Sequence, residues 1–297
     1  MPVNIADAFH RIGSSGVSAR TVGFVRVGLG SAAMLRGIEA ARILFPLTDP
    51  EVVRFPWFSW LPELTETLVA IIVVGWLAAA ASFTAGLWTR VSGALLTLVM
   101  ATSIALDQQA YSNHLYLLTV LIGLLIFTEP GAALSVDARQ RDIAQTTVPA
   151  WPIFLMKLQV SVVYGFAALT KLNDTFLSGR VLAGSLGRGP LAPPESWLVP
   201  DVLAPLATLA VATELSVGIF LWRRRGRRIA VLLGIGLHVT IALLMTPTVQ
   251  LIVFAMVMLS SYGLFFSAPQ QRILTSRTHD GSPVREDSPR HTMTKAA

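Results

Sequence analysis

The feature that most constrains this chain is the recurrence of apolar stretches as long as a bilayer is thick. A membrane-spanning helix needs about 20 mainly apolar residues, and in hydrocarbon its backbone N–H and C=O groups must be satisfied within the segment itself. Such stretches fall at about Thr21–Phe45, Leu64–Gly86, Val91–Leu106, His114–Phe127, Trp151–Leu172, Val202–Trp222, Ile229–Met245 and Val249–Phe266. Only 13% of the residues are charged, against about 25% in a soluble protein. The expected fold is all-α: a polytopic integral membrane helical bundle of about eight transmembrane helices, with no separate soluble domain. Residues 1–20 read as a cytoplasmic N-terminal segment, with Ile5, Ala8, Phe9 and Ile12 on one side of a short interfacial helix. Residues 21–266 read as the transmembrane domain. Residues 267–297, rich in Ser, Thr, Arg and Asp, read as a disordered cytoplasmic tail.

The charges between the spans orient them. Alternate connections carry Arg11 and Arg20, then Arg90, then Arg139 and Arg141, then the run Arg223, Arg224, Arg225, Arg227 and Arg228. The others carry Arg54, then none, then Arg180 and Arg188, then none. Lys and Arg concentrate in cytoplasmic loops, so both termini are expected inside. The Arg run has no aromatic or folded basic module beside it, so no nucleic-acid partner is expected; the partner is the lipid bilayer. The absence of cysteine excludes disulfides and thiolate chemistry. No two His residues stand at i+3 or i+4, so no metal is expected. Two outward segments read as structured. In FPWFSWLPEL, residues 55–64, Trp57 and Trp60 suit the headgroup layer. Residues 173–200, with several Gly and Pro, are expected to dip into the surface and cover a cavity.

Ionisable residues inside the spans cost about 3 kcal/mol each on insertion scales, and so point to function. Lys157, Ser161, Tyr164, Ala168 and Lys171 recur on one helical face. A Lys held in a dry cavity can shed its proton and act as a neutral base; near a helix end it can equally snorkel to the interface. His114, between Asn113 and Tyr116, lies at the same membrane face as Lys171 by this topology, where it either relays a proton or bonds interfacial water. In the first span Glu39 stands three residues from both Arg36 and Arg42, a packing pair or an anion site. Glu214 has no basic neighbour within two turns of its own helix, so it must meet a partner elsewhere, stay protonated or face water. His238 is isolated in the seventh span.

Two blocks carry a resemblance. In YGFAALTKLNDTFLSG, Tyr164, Lys171, Leu172, Phe176 and Gly179 fit the signature of the vitamin K-dependent gamma-carboxylase-like membrane family, also called the horizontally transferred transmembrane domain. Gln159 and Lys157 fit upstream of it. The block NHLYLLTVLIGLLIFTEPGAALSVDAR is similar to a second family segment through Asn113, His114, Ser135 and Asp137. Weaker matches are Arg26, Trp60, Glu214 and His238. The resemblance covers about residues 20–266.

The resemblance implies a quinol-dependent oxygenase or epoxidase. Reduced vitamin K or menaquinol would be the co-substrate, with O2 and, where a glutamate or small substrate is carboxylated, CO2. Lys171 would be the base and His114 its partner. Tyr164, Asn113, Arg36, Glu39, Glu214, His238 and Trp60 would form the quinone-binding surroundings. Two departures bear on this. Phe176 stands where the family has Trp, and the full carboxylase has a large soluble domain after its helices, which is not expected here. A peptide substrate is therefore the least supported partner. The alternative is a membrane protein that binds a quinone or lipid without turnover, or that serves as an export or immunity partner of a peptide. A transporter is disfavoured, because no inverted repeat is visible.

Overall fold

The computed structural model describes residues 15–141, 145–186, 191, 193–245, 249–267 and 270–271. The expected interfacial helix at residues 5–12, Arg188 and the polar tail lie outside the described residues, apart from a few positions at the start of the tail. Among the described residues, eight helices have 13 residues or more: α1 Ala19–Leu44, α2 Glu66–Ala85, α3 Thr89–Leu106, α4 Asn113–Leu125, α5 Trp151–Lys171, α6 Pro200–Phe220, α7 Arg227–Leu244 and α8 Val249–Phe266. Each end falls within two residues of its sequence expectation. Six of them, α2, α3 and α5 to α8, are long and apolar enough to cross a membrane. Helix α1 has the length, at 26 residues, but carries several charges. Helix α4 has only 13 residues, extended by a 3-10 turn to Thr128. The outward surface is apolar, with Phe24, Ile71, Phe166, Leu209 and Leu232 all exposed. Only a bilayer accommodates so continuous an apolar surface. The molecule is an all-α polytopic membrane bundle.

Consecutive helices pack side by side, and α8 closes the ring against α1. The short α4 sits inward, touching α1, α3, α5 and α8. Its leucines 115, 117, 118, 121 and 125 are all buried. Where α1 meets α2, the indole of Trp76 is fully buried and donates to the Ala33 carbonyl at 2.9 Å.

A small sheet, not expected from the apolar pattern, joins the two ends of the bundle's chain. Strand β1, Ser15–Ser18, pairs with β2, Thr147–Pro149, and with β3, Gln270–Gln271, both antiparallel. Because β1 precedes α1 and β3 follows α8, the chain enters and leaves the bundle at one end. At the opposite end the buried Asp107 joins two connections. It accepts from the Phe55 N–H at 2.8 Å, while Gln108 N–H donates to the Phe55 carbonyl at 2.9 Å. This holds the aromatic segment 55–64 in place: Trp57 meets Tyr111 edge-on at 6.3 Å, and Phe58 stacks on Trp60.

At the sheet end the turn after α2 depends on Gly86, whose φ of 79° lies in the left-handed region. A Cβ there would collide with the Ser135 side chain. Left-handed backbone costs an L-residue about 1–2 kcal/mol before any clash. Gly86→Ala is therefore expected to lower the melting temperature of the purified protein measurably. Gly75→Ala, whose added methyl meets nothing within 4 Å, should leave it unchanged or raise it slightly.

The same turn is fastened by Asp137. Its carboxylate accepts from the N–H of Trp88 at 2.8 Å and from the N–H and hydroxyl of Thr89 at 2.9 Å each. Burial alone would raise the Asp137 pKa, but these donors outweigh it and hold it below the usual 3.8. A depressed carboxylate pKa contributes stability above the unfolded value and loses it as pH falls through the folded value. Melting temperature should hold from neutrality to about pH 4 and fall below that. Asp137→Asn should begin lower and lose less on acidification.

Candidate functional site

Five helices, α4 to α8, line a cavity of about 580 Å3 that is partly open to the outside of the bundle at Phe166 and Tyr116. Ligand pockets typically measure about 300–1,000 Å3, and this cavity falls within that range. The wall is mostly apolar, including Val162, Phe166, Leu237 and Leu251, with a few polar groups converging on it. Helix α5 contributes Tyr164 and Lys171, α4 contributes Asn113 and His114, α6 contributes Glu214 and α7 contributes His238. Six of the residues singled out from the sequence thus share one chamber.

Glu214 meets its partner across helices: Lys171 Nζ donates to Glu214 Oε1 at 2.5 Å. Glu214 is 6% exposed, and its second oxygen, Oε2, is buried with no hydrogen-bond partner among the described residues. The Lys171 ammonium also lies 5.8 Å from the centre of the Phe176 ring. His114 Nδ1 is likewise buried and unpartnered among the described residues. Buried polar atoms are nearly always paired, so these two, on residues that line one cavity, are exceptions.

A second cluster lies deeper. His238 Nε2 shares a hydrogen bond of 3.2 Å with the Tyr164 hydroxyl, which also bonds the Tyr262 hydroxyl. Phe254 stands between the two imidazoles, 4.5 Å from His114 and 5.2 Å from His238 by ring centres. Tyr262 and Phe254 were not singled out from sequence, since both sit in the strongly apolar run of α8. Gly234 on α7 leaves the room that the Tyr262 hydroxyl occupies, since a Cβ there would strike it.

Other expected positions fall elsewhere. Among the described residues, Arg36, Glu39 and Trp60 do not line the cavity. Arg36 is turned to its ion pair with Glu39 and to the Ala110 carbonyl at 3.3 Å. Trp60 lies out on its loop, 76% exposed. The polar face of α5 divides. Tyr164 and Lys171 reach the cavity, while Ser161 accepts from the Trp222 indole at 2.7 Å and Lys157 sits 5.8 Å from the centre of the Phe265 ring. The segment 173–200 was expected to cover a cavity, yet none of its described residues lines this one. It forms short helices, Asp174–Leu177 and Arg180–Ser185, and packs Phe176 against Ala168, Ala207 and Val211 of α5 and α6. Arg26, Ser135 and Asp137 prove to hold the sheet-end turn together.

No solved structure matches this chain. The HTTM domain family matches residues 16–269, a stretch that contains all eight helices and every residue of the cavity wall. The chain belongs to the HTTM domain family, the membrane proteins related to the vitamin K-dependent gamma-carboxylase.

Proposed function

We propose that this protein is a membrane enzyme that uses a reduced quinone, vitamin K or menaquinol, in an oxygen-consuming epoxidation. The observation that carries the reading is the cavity itself, apolar in its wall and polar where Lys171, Glu214 and His114 converge. An apolar chamber with two unpartnered polar atoms suits a ring system bearing hydroxyl groups. A reduced quinone, when bound, supplies the weakly acidic hydroxyl whose deprotonation begins its reaction with oxygen. The Lys171–Glu214 pair withdraws that proton, and His114 orients the hydroxyl from the facing helix. The apolar wall excludes water, which strengthens every charge interaction inside. Tyr164, tied to His238 and Tyr262, forms the floor.

The sheet end of the bundle would be cytoplasmic and the cavity would face the other side. In support, Arg90, Arg139, Arg141 and the Arg223–Arg228 run all stand in the connections or the first helical turns at the sheet end. Coupled carboxylation of a glutamate or small substrate is a further step of the same proposal.

A second reading has one observation in its favour. The Lys171 amine is already engaged by Glu214, as in a purely structural pair. On that reading the chamber binds a quinone or lipid without turnover. The two are separated by incubating purified protein with reduced vitamin K and O2. The enzyme reading expects oxygen uptake and epoxide in proportion to protein; saturable binding with neither product would establish the second reading.

A further inference from the structure

We infer that the atom taking the proton in this chamber is Oε2 of Glu214, and that Lys171 serves as the fixed cation beside it. The inference rests on the quinol-binding reading above and deepens it. Four observations carry it. Lys171 Nζ donates to Glu214 Oε1 at 2.5 Å, as an ammonium does to a carboxylate, and an ammonium has no lone pair with which to take a proton. The same nitrogen lies 5.8 Å from the centre of the Phe176 ring, and an aromatic face attracts an ammonium far more than a neutral amine. Glu214 Oε2 is buried in a side chain only 8% exposed and has no partner among the described residues. Glu214 also lines the cavity that Lys171 and His114 line. Of the lone pairs the pair of residues offers, the one on Oε2 is unengaged.

The step balances without any co-reactant. The ligand's O–H bond breaks and an O–H bond to Glu214 Oε2 forms. The electron pair stays on the ligand oxygen, where the Lys171 ammonium neutralises it. No group is oxidised or reduced. The second orphan, His114 Nδ1, belongs to a residue lining the same cavity, and its role on this proposal is to aim the ligand oxygen. Lys171 thereby changes from base to electrostatic partner, a role that needs positive charge and not a free amine.

The test is infrared difference spectroscopy of the full-length purified protein in anaerobic buffer, with reduced vitamin K1 added in parallel to a measurement of its binding. The carbonyl stretch of a newly protonated carboxylic acid is expected to appear on binding and to be absent in Glu214→Gln. A second readout is oxygen uptake. Glu214→Gln is expected to lose roughly 10²-fold or more, the usual range for removing a general base, while Lys171→Arg retains more of the rate than Lys171→Gln. Reduced vitamin K1 that binds without the new band, or with the same band in Glu214→Gln, overturns the inference and leaves the functional proposal standing. Lys171→Arg as inactive as Lys171→Gln, beside an active Glu214→Gln, does the same. No saturable binding to the wild-type protein would overturn both.

Discussion

Oxygen uptake with reduced vitamin K is expected to fall by roughly 10²–10³-fold when Lys171 becomes alanine, the range for removing one preorganised group that stabilises developing negative charge. The variant has a second consequence that must be kept apart from the first. It leaves Glu214, 6% exposed, without its cation. Removing one partner of a buried ion pair destabilises by about 3–5 kcal/mol, and the lower end applies because the Lys171 side chain is 30% exposed. A drop in activity could therefore be a drop in folded protein. The double variant Lys171→Ala, Glu214→Gln separates the two effects, because it removes the stranded charge together with its partner. Its melting temperature is expected to recover most of the way to wild type while its oxygen uptake does not recover. Recovery of both would mean that the pair is structural and that turnover, if any, is centred elsewhere.

The largest effect on stability is expected at Arg26. This side chain is fully buried in α1, yet it serves the far side of a turn. It donates to the carbonyls of Pro130 at 2.9 Å, Ala133 at 3.3 Å and Thr84 at 3.4 Å, and to that of Leu134. Arg26→Leu keeps the apolar stem and strands the four acceptors. At about 1 kcal/mol or more for each buried group left unpaired, the loss is roughly 4 kcal/mol, a large part of the 5–15 kcal/mol that holds a typical fold together. Folded yield and melting temperature in detergent should both fall sharply. Arg26→Lys should rescue only part of the loss, since an ammonium has three donors and no planar fork.

These two residues show what a sequence reveals and where it stops. All eight helices were legible because a span must be apolar over its whole length, whatever it packs against. The polar residues that line the cavity were legible for the complementary reason: Lys171, Glu214 and His238 are too costly in hydrocarbon to be incidental. Their pairings were not legible. Glu214 and Lys171 are 43 positions apart, and Tyr164 and His238 are 74 apart, so no helical spacing connects them. Tyr262 and Phe254 were hidden because aromatic residues in an apolar run look like ordinary lipid-facing or core residues. Arg36 and Glu39 attracted attention as charges in a span, but three-residue spacing let them satisfy each other locally, away from the chamber. Arg26 and Asp137 were noted only as positions of the family resemblance, and their place is in the sheet-end turn, which they fasten. A buried charge that reaches several backbone groups in one turn looks the same in sequence as one that reaches a ligand. The three-stranded sheet escaped notice because its strands are two to four residues long and pair across most of the chain.

The central claim is that one chamber brings a reduced quinone to the Lys171–Glu214 pair and to His114 together. The most direct test is an experimental structure of the protein with vitamin K1 bound. The quinone ring is expected inside the α4 to α8 cavity, with one ring oxygen within hydrogen-bond reach of the Lys171–Glu214 pair and His114 lying against the same edge of the ring. A quinone bound elsewhere on the bundle, or a chamber left empty at saturating ligand, would contradict it.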